Sequence, residues 1–203
     1  MKTVTLYITD SRELIGREGS ALPLLTCERR EQAERIKPEE ERLLRIAAGL
    51  LLRHVMGVTD DIHLCRGEFG KPELAGEGPC FNLSHGGRYA VLAVGDVPLG
   101  VDLEPVGDRV PNISGRFLHP DESAWLEQEP TPERFARLWT KLESVLKADG
   151  RGFAFENRSY SVVGEECPWF IRTFAHDGHV ISCAAGEEFN LVIRLLSANE
   201  LIR

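Results

Sequence analysis

GRYAVLAVGD (87–96) is echoed by GHVISCAAGE (178–187), and the pairing decides how the chain divides. Each copy opens on glycine and a basic residue, runs through six mostly apolar positions and closes on glycine and an acid. Such a run between turn residues reads as a strand buried on both faces. The first copy starts 49 residues after Pro38 and the second 46 residues after Pro132, and both prolines open long helical patterns. A repeat longer than 90 residues is no solenoid unit. The expectation is an α+β fold of two similar half-domains, with any site in the cleft between them. The halves are set at 1–105 and 106–203, joined through the Pro-, Gly- and Asp-rich segment 105–113.

The patterns around the echo agree. Val4, Leu6 and Ile8 alternate with polar residues, the period of a half-buried strand. Pro38 and the acids Glu39, Glu40 and Glu41 suit a helix N-terminus, and Leu43, Ile46, Ala47, Leu50 and Leu51 form one stripe ending near Gly57. A second helix is predicted over 132–148, capped by Thr131 and stopped by Gly150. Phe135, Leu138, Trp139, Leu142 and Leu146 are its core stripe, while Thr140, Glu143 and Lys147 share a polar edge.

Charge and cysteine usage narrow the function. With 24 Lys and Arg against 32 Asp and Glu, the net charge is −8, so no general field attracts nucleic acid or an anionic membrane. A phosphate site must be local. Seven bases (Arg29, Arg30, Arg35, Lys37, Arg42, Arg45, Arg53) stand against six acids over 28–53, and most are expected on a solvated helix face. The five cysteines include no CxxC pair, which argues against a zinc ribbon or disulfide scaffold. His176 and His179 in HDGH are expected as solvated turn residues. Without a signal-peptide pattern or a run of ~20 apolar residues, the expected location is the cytoplasm.

Asp102 and Glu104 in GVDLE are two residues apart and share one side of a strand. Two carboxylates together suit Mg²⁺ with a substrate phosphate, or they are the solvated end of a strand. Glu143 and Lys147, one helical turn apart, are either a surface ion pair or a third acid with a cation. FNLSHGGR (81–88) offers Asn82, Ser84, His85 and two glycines, read either as a phosphate-holding turn or as a tight hairpin entry. Lys71 sits at the tip of the GKP turn (70–72). Ser84 lies in no GxSxG elbow, so a serine hydrolase is poorly supported.

In chain order, ERI (34–36), GKP (70–72), FNLSHGG (81–87), LGVDLEP (99–105), RFLHPDE (116–122) and WTKLESVLKADGRG (139–152) resemble the larger, surfactin-synthetase-activating type of 4'-phosphopantetheinyl transferase. The combination carries the resemblance, above all GVD with W-T-x-x-E-S-x-x-K, Glu143 standing 41 residues beyond Asp102. It implies a monomeric pseudodimer with coenzyme A and Mg²⁺ in the cleft. By the same resemblance Asp102, Glu104 and Glu143 would hold the metal. Arg35, Lys71, Ser84 and His85, with Arg66 and Asn82 beside them, would surround the adenosine phosphates, and Lys147 would face the pyrophosphate. The reaction implied transfers the phosphopantetheine arm to a serine hydroxyl of an apo acyl or peptidyl carrier protein and releases adenosine 3',5'-bisphosphate. Asp102, Glu143 and Lys147 would be catalytic, with Glu143 or a water on the metal as base. Carrier docking is expected around 110–150.

One position departs from the family pattern, which has Lys directly before this Glu. Here Leu142 stands there, and Lys141, about 100° away on the helix, faces elsewhere. An active transferase with another group in that role is one reading. A homologue that binds coenzyme A or a carrier without turnover is the alternative, and a generic Mg²⁺-dependent phosphoryl-transfer enzyme or hydrolase is a third.

Overall fold

A computed structural model describes residues 1–110, 117–151 and 159–203. The chain is α+β. Strand β1 (Lys2–Asp10) leads through short helix α1 (Glu18–Ala21) to α2 (Cys27–Arg35) and α3 (Glu39–Met56). A small hairpin, β2 (Leu64–Arg66) and β3 (Pro72–Leu74), precedes β4 (Cys80–Gly86), β5 (Tyr89–Gly95) and β6 (Leu99–Pro105). Then come α4 (Pro120–Glu127), α5 (Pro132–Asp149), β7 (Phe170–His176), β8 (His179–Ala185), β9 (Phe189–Leu195) and α6 (Ala198–Leu201).

Two main sheets exchange strands. The first has the order β4-β5-β1-β9 and the second β6-β8-β7, while β2 and β3 pair only with each other. Thus β6 leaves the β4–β5 hairpin to pair antiparallel with β8, and β9 leaves the β7–β8 hairpin to pair parallel with β1. The two echoed segments are β5 and β8.

Side-chain alternation stacks these sheets into four layers. Leu6, Ile8, Val91 and Ala93 point from the first sheet to an inner core shared with Val101, Leu103, Ile181 and Cys183 of the second. On the outer face of the first sheet, Ala90, Leu92 and Phe81 pack against Leu43, Ile46, Ala47 and Leu50 of α3. Leu138, Leu142, Val145 and Leu146 of α5 cover the outer face of the second with Ala184. The central strands therefore have apolar residues on both faces, which is why their sequence is a run rather than an alternation.

Both long helices end on a glycine in the left-handed region, Gly57 (φ 68°) and Gly150 (φ 83°), as the sequence predicts. Thr131 Oγ1 accepts from Arg134 N at the start of α5. Pro38 lies just outside α3 with extended ψ (124°), one position earlier than the predicted first turn. The two hairpin turns meet. Arg88 pairs with Asp177, Tyr89 Oη donates to Asp177 Oδ2 (2.8 Å), and the Tyr89 ring contacts the edges of His176 and His179. His179 is buried there rather than solvated, because the partner hairpin covers it. Arg116 and Gly152 of the quoted motifs, and 111–113 of the connecting segment, lie outside the described residues.

Candidate active site

The geometry of the site follows from the alternation of β6. Leu99, Val101 and Leu103 enter the inner core, so Gly100, Asp102 and Glu104 face α5. Gly100 sets the separation: a Cβ there would overlap Ser144 O and Ala148 N of the helix backbone. With no side chain in the way, α5 lies directly on the strand. Glu143 and Lys147 then come over Asp102. Thr140, which the helical pattern places on the same polar edge, is instead buried and shares a hydrogen bond with Ser182 Oγ (2.8 Å).

Asp102 is the centre of the polar contacts. Its Oδ1 accepts from Lys147 Nζ (2.6 Å) and from Ser84 Oγ (2.9 Å), and Lys147 Nζ also donates to Ser84 Oγ (3.1 Å). Its Oδ2 is buried without a hydrogen-bond partner. FNLSHGG is strand β4 running into a turn at Gly87 (φ 55°), the hairpin of the two sequence alternatives. Ser84 and Asn82 lie on its inner face at the sheet edge, where β6 crosses, and Asn82 Oδ1 accepts from Val101 N (2.9 Å). Both side chains therefore fasten the first sheet to β6.

Asp102, Glu104, Glu143, Lys147, Ser84 and His85 line one cavity of about 460 Å³, with Trp139 on its α5 side. Burial pushes the carboxyls of Asp102 and Glu143 above the ordinary range, and Asp102 adds repulsion for Glu143 while Lys147 pulls both back. Glu104 is pushed up to about 7 by burial and by the charges of Asp102 and Glu143. Burial and the charges of Arg45 and Lys147 hold His85 below the usual imidazole value.

Two arginines of the run expected mostly on a solvated face border the cavity, Arg29 half-buried and Arg45 exposed. Arg29 of α2 and Arg45 of α3 both line the cavity. Arg29 Nε is buried without a partner, and burial lowers the basicity of this guanidinium. The sequence signal was present only as density, seven bases in 26 residues. No spacing distinguished these two from the rest.

Other expected contacts lie elsewhere. Arg35 is exposed and pairs with Glu31 (3.1 Å), and Arg66 is exposed and pairs with Glu28 (2.9 Å); neither lines the cavity. Lys71 Nζ donates to Leu99 O (2.9 Å). Leu142 is 2% exposed in the core beneath α5, as its place in the apolar stripe requires.

Among the described residues, no three His, Cys, Asp or Glu side chains close around a metal-sized point. The donors nevertheless fit a divalent cation. They are hard oxygens, one buried carboxylate oxygen has no partner, and beyond burial Asp102 raises the proton affinity of Glu104 and Glu143, a repulsion a cation relieves. A cavity with acids and a lysine on one wall and arginines on the other suits a polyanionic, phosphate-bearing molecule.

Comparison with known proteins agrees with that class. A family model described as the 4'-phosphopantetheinyl transferase superfamily matches residues 98–184. A 4'-phosphopantetheinyl transferase of Bacillus subtilis is 29% identical over the full length of both chains, and 4'-phosphopantetheinyl transferase Sfp of Bacillus subtilis (strain 168) is 26% identical, also over the full length of both. 4'-phosphopantetheinyl transferase gsp of Aneurinibacillus migulanus is 32% identical over 50% of this chain and 44% of its own. The chain is thus similar to 4'-phosphopantetheinyl transferases over its full length, and to the superfamily model over residues 98–184. No described helix is long and apolar enough to cross a membrane.

Proposed function

We propose that this chain transfers the 4'-phosphopantetheine arm of coenzyme A to a serine hydroxyl of an apo acyl or peptidyl carrier protein, with Mg²⁺, and releases adenosine 3',5'-bisphosphate. The observation that carries this reading is the two-walled cavity: Asp102, Glu104, Glu143 and Lys147 face Arg29, Arg45 and His85 across about 460 Å³. The strand exchange and echoed hairpins support a pseudodimer of halves 1–105 and 106–203, acting as a monomer in the cytoplasm. Carriers of fatty-acid, polyketide or nonribosomal peptide synthesis all present the required serine.

Arg29 and Arg45, with His85, take the nucleotide phosphates. This replaces Arg35 and Arg66 in the role that the resemblance gave them, since those side chains are spent on surface ion pairs. Asp102, Glu104 and Glu143 would hold Mg²⁺, which supplies charge neutralisation on the pyrophosphate when bound. Lys147, held by Asp102 and Ser84, faces the same phosphates and stabilises the leaving bisphosphate. Glu143, its proton affinity raised by burial and Asp102, can accept the serine proton as the hydroxyl oxygen attacks phosphorus.

The non-catalytic alternative rested on Leu142. Its burial gives that residue a packing reason of its own, which supports the active reading. Incubation with coenzyme A, Mg²⁺ and apo carrier domains, followed by mass spectrometry, should show the phosphopantetheine mass gain on the carrier. Asp102→Ala and Glu143→Ala should each lower the rate by about 10³-fold or more in folded protein. No gain across several carriers, with coenzyme A still bound, would establish the binder instead.

A further inference from the structure

Lys71 has contacts that a solvated turn lysine lacks. It closes the tip of the β2–β3 hairpin, where Gly67 N donates to Lys71 O (2.9 Å) and Gly70 takes a left-handed φ of 83°. From there its side chain runs past Gly150, the left-handed cap of α5, and is half-buried. The ammonium donates to Leu99 O (2.9 Å) and lies 3.5 Å from Ala148 O. Leu99 is the first residue of β6, and Ala148 is in the last turn of α5. Carbonyls in that turn lack intrahelical donors and carry the negative end of the helix dipole, so a cation is favoured there.

These two carbonyls belong to the two elements whose spacing defines the site. Three residues after Leu99 comes Asp102, and the residue before Ala148 is Lys147. We propose that Lys71 is a positioning residue, which clamps the start of β6 to the end of α5 and so holds Asp102 and Lys147 in register for phosphopantetheinyl transfer. This rests on the function proposed above and departs from the resemblance, which put Lys71 on a phosphate. Leu99 and Ala148 carbonyls occupy the ammonium, and the cavity holding Arg29 and Arg45 is not lined by Lys71. The lysine borders a second pocket of about 300 Å³, which it shares with Glu143 and Lys147.

The test compares Lys71→Met, Lys71→Gln and Lys71→Arg in the full chain. A positioning role predicts a fall in kcat of roughly tenfold to a hundredfold for the Met and Gln variants, with coenzyme A affinity by calorimetry within about twofold of wild type. Lys71→Arg, which keeps the cation, should recover most of the rate. Amide hydrogen exchange over residues 146–150 should accelerate by about tenfold in the Met variant, because the last turn loses its tether. Coenzyme A affinity weakened by tenfold or more with kcat retained would overturn the clamp in favour of a phosphate contact. Unchanged kcat, affinity and exchange would overturn it in favour of a solvated lysine. Should Lys71→Met not fold, Lys71→Gln and Lys71→Arg give the same contrast. If wild type loads no carrier, the functional reading fails, while the exchange at 146–150 still decides the clamp.

Discussion

Helices α3 and α5 are the same length, 18 residues, and each ends on a left-handed glycine and covers the outer face of a sheet. They differ in where the close approach is made. In α3 the small residue is in the helix: Gly49 faces Leu25 and the stem of Arg29, so α2 packs tightly and Arg29 reaches the cavity. In α5 the small residue is in the strand: Gly100 brings the helix backbone down on β6, and Glu143 and Lys147 meet Asp102. The two packing modes thus give the cavity one basic wall and one acidic wall. The difference lies in which neighbour each helix is allowed to approach.

Gly100→Ala tests the acidic wall most severely. The new methyl meets backbone atoms of α5, which no side-chain rotation can move aside. Displacing the helix should lower stability by about 2–3 kcal/mol and transfer rate by about 10²-fold, read by thermal unfolding and carrier loading. Gly49→Ala is the contrast: its methyl meets Cδ2 of Leu25 at 2.7 Å, the end of a flexible side chain. Its effect should be smaller and fall on coenzyme A affinity through Arg29. Equal effects of the two variants would break the distinction between the walls.

Arg29→Ala and Arg45→Ala probe the basic wall with milder changes. Each should raise KM for coenzyme A by about tenfold with kcat largely kept, since a charge-assisted phosphate contact contributes roughly 1.5–3 kcal/mol. Arg35→Ala should leave KM unchanged, because that side chain pairs with Glu31 in solvent. A larger effect at Arg35 than at Arg29 would return the phosphate role to the residue that the resemblance chose.

Periodicity made the layers legible before any coordinates. Asp102 and Glu104 share a face because the strand period is two, and Leu142 joins the core because the helical stripe includes it. Arg29 escaped because its placement depends on how α2 packs on α3, and a helix of mixed charge has no stripe that marks which base turns inward, whereas Arg45 keeps an exposed position and borders the cavity from there. Asn82 and Ser84 were legible as polar residues before a buried strand. Their bonds to Val101 and Asp102 depend on β6 crossing to the other sheet, a long-range event that local pattern cannot encode.

The smallest predicted effect is a pair of opposite pH slopes in the ligand-free protein. Glu104 binds its proton more tightly in the fold, at about 7, than at its ordinary value of 4.5. Between those values the folded chain holds more protons than the unfolded one, so this group lowers stability as pH rises through 4.5 to 7. His85 is shifted down from 6.5, so its contribution is present above 6.5 and is lost as pH falls through the depressed value. Glu104→Gln should therefore raise the Tm at pH 8 more than at pH 5, whereas His85→Gln should flatten the loss on the acid side. Mg²⁺ should imitate Glu104→Gln at pH 8, since relieving the repulsion among Asp102, Glu104 and Glu143 is the same effect whether a proton, an amide or a cation provides it. A Tm at pH 8 that responds neither to Glu104→Gln nor to Mg²⁺ would remove the cation site from the acidic wall and leave Lys147 as the sole counter-charge of Asp102.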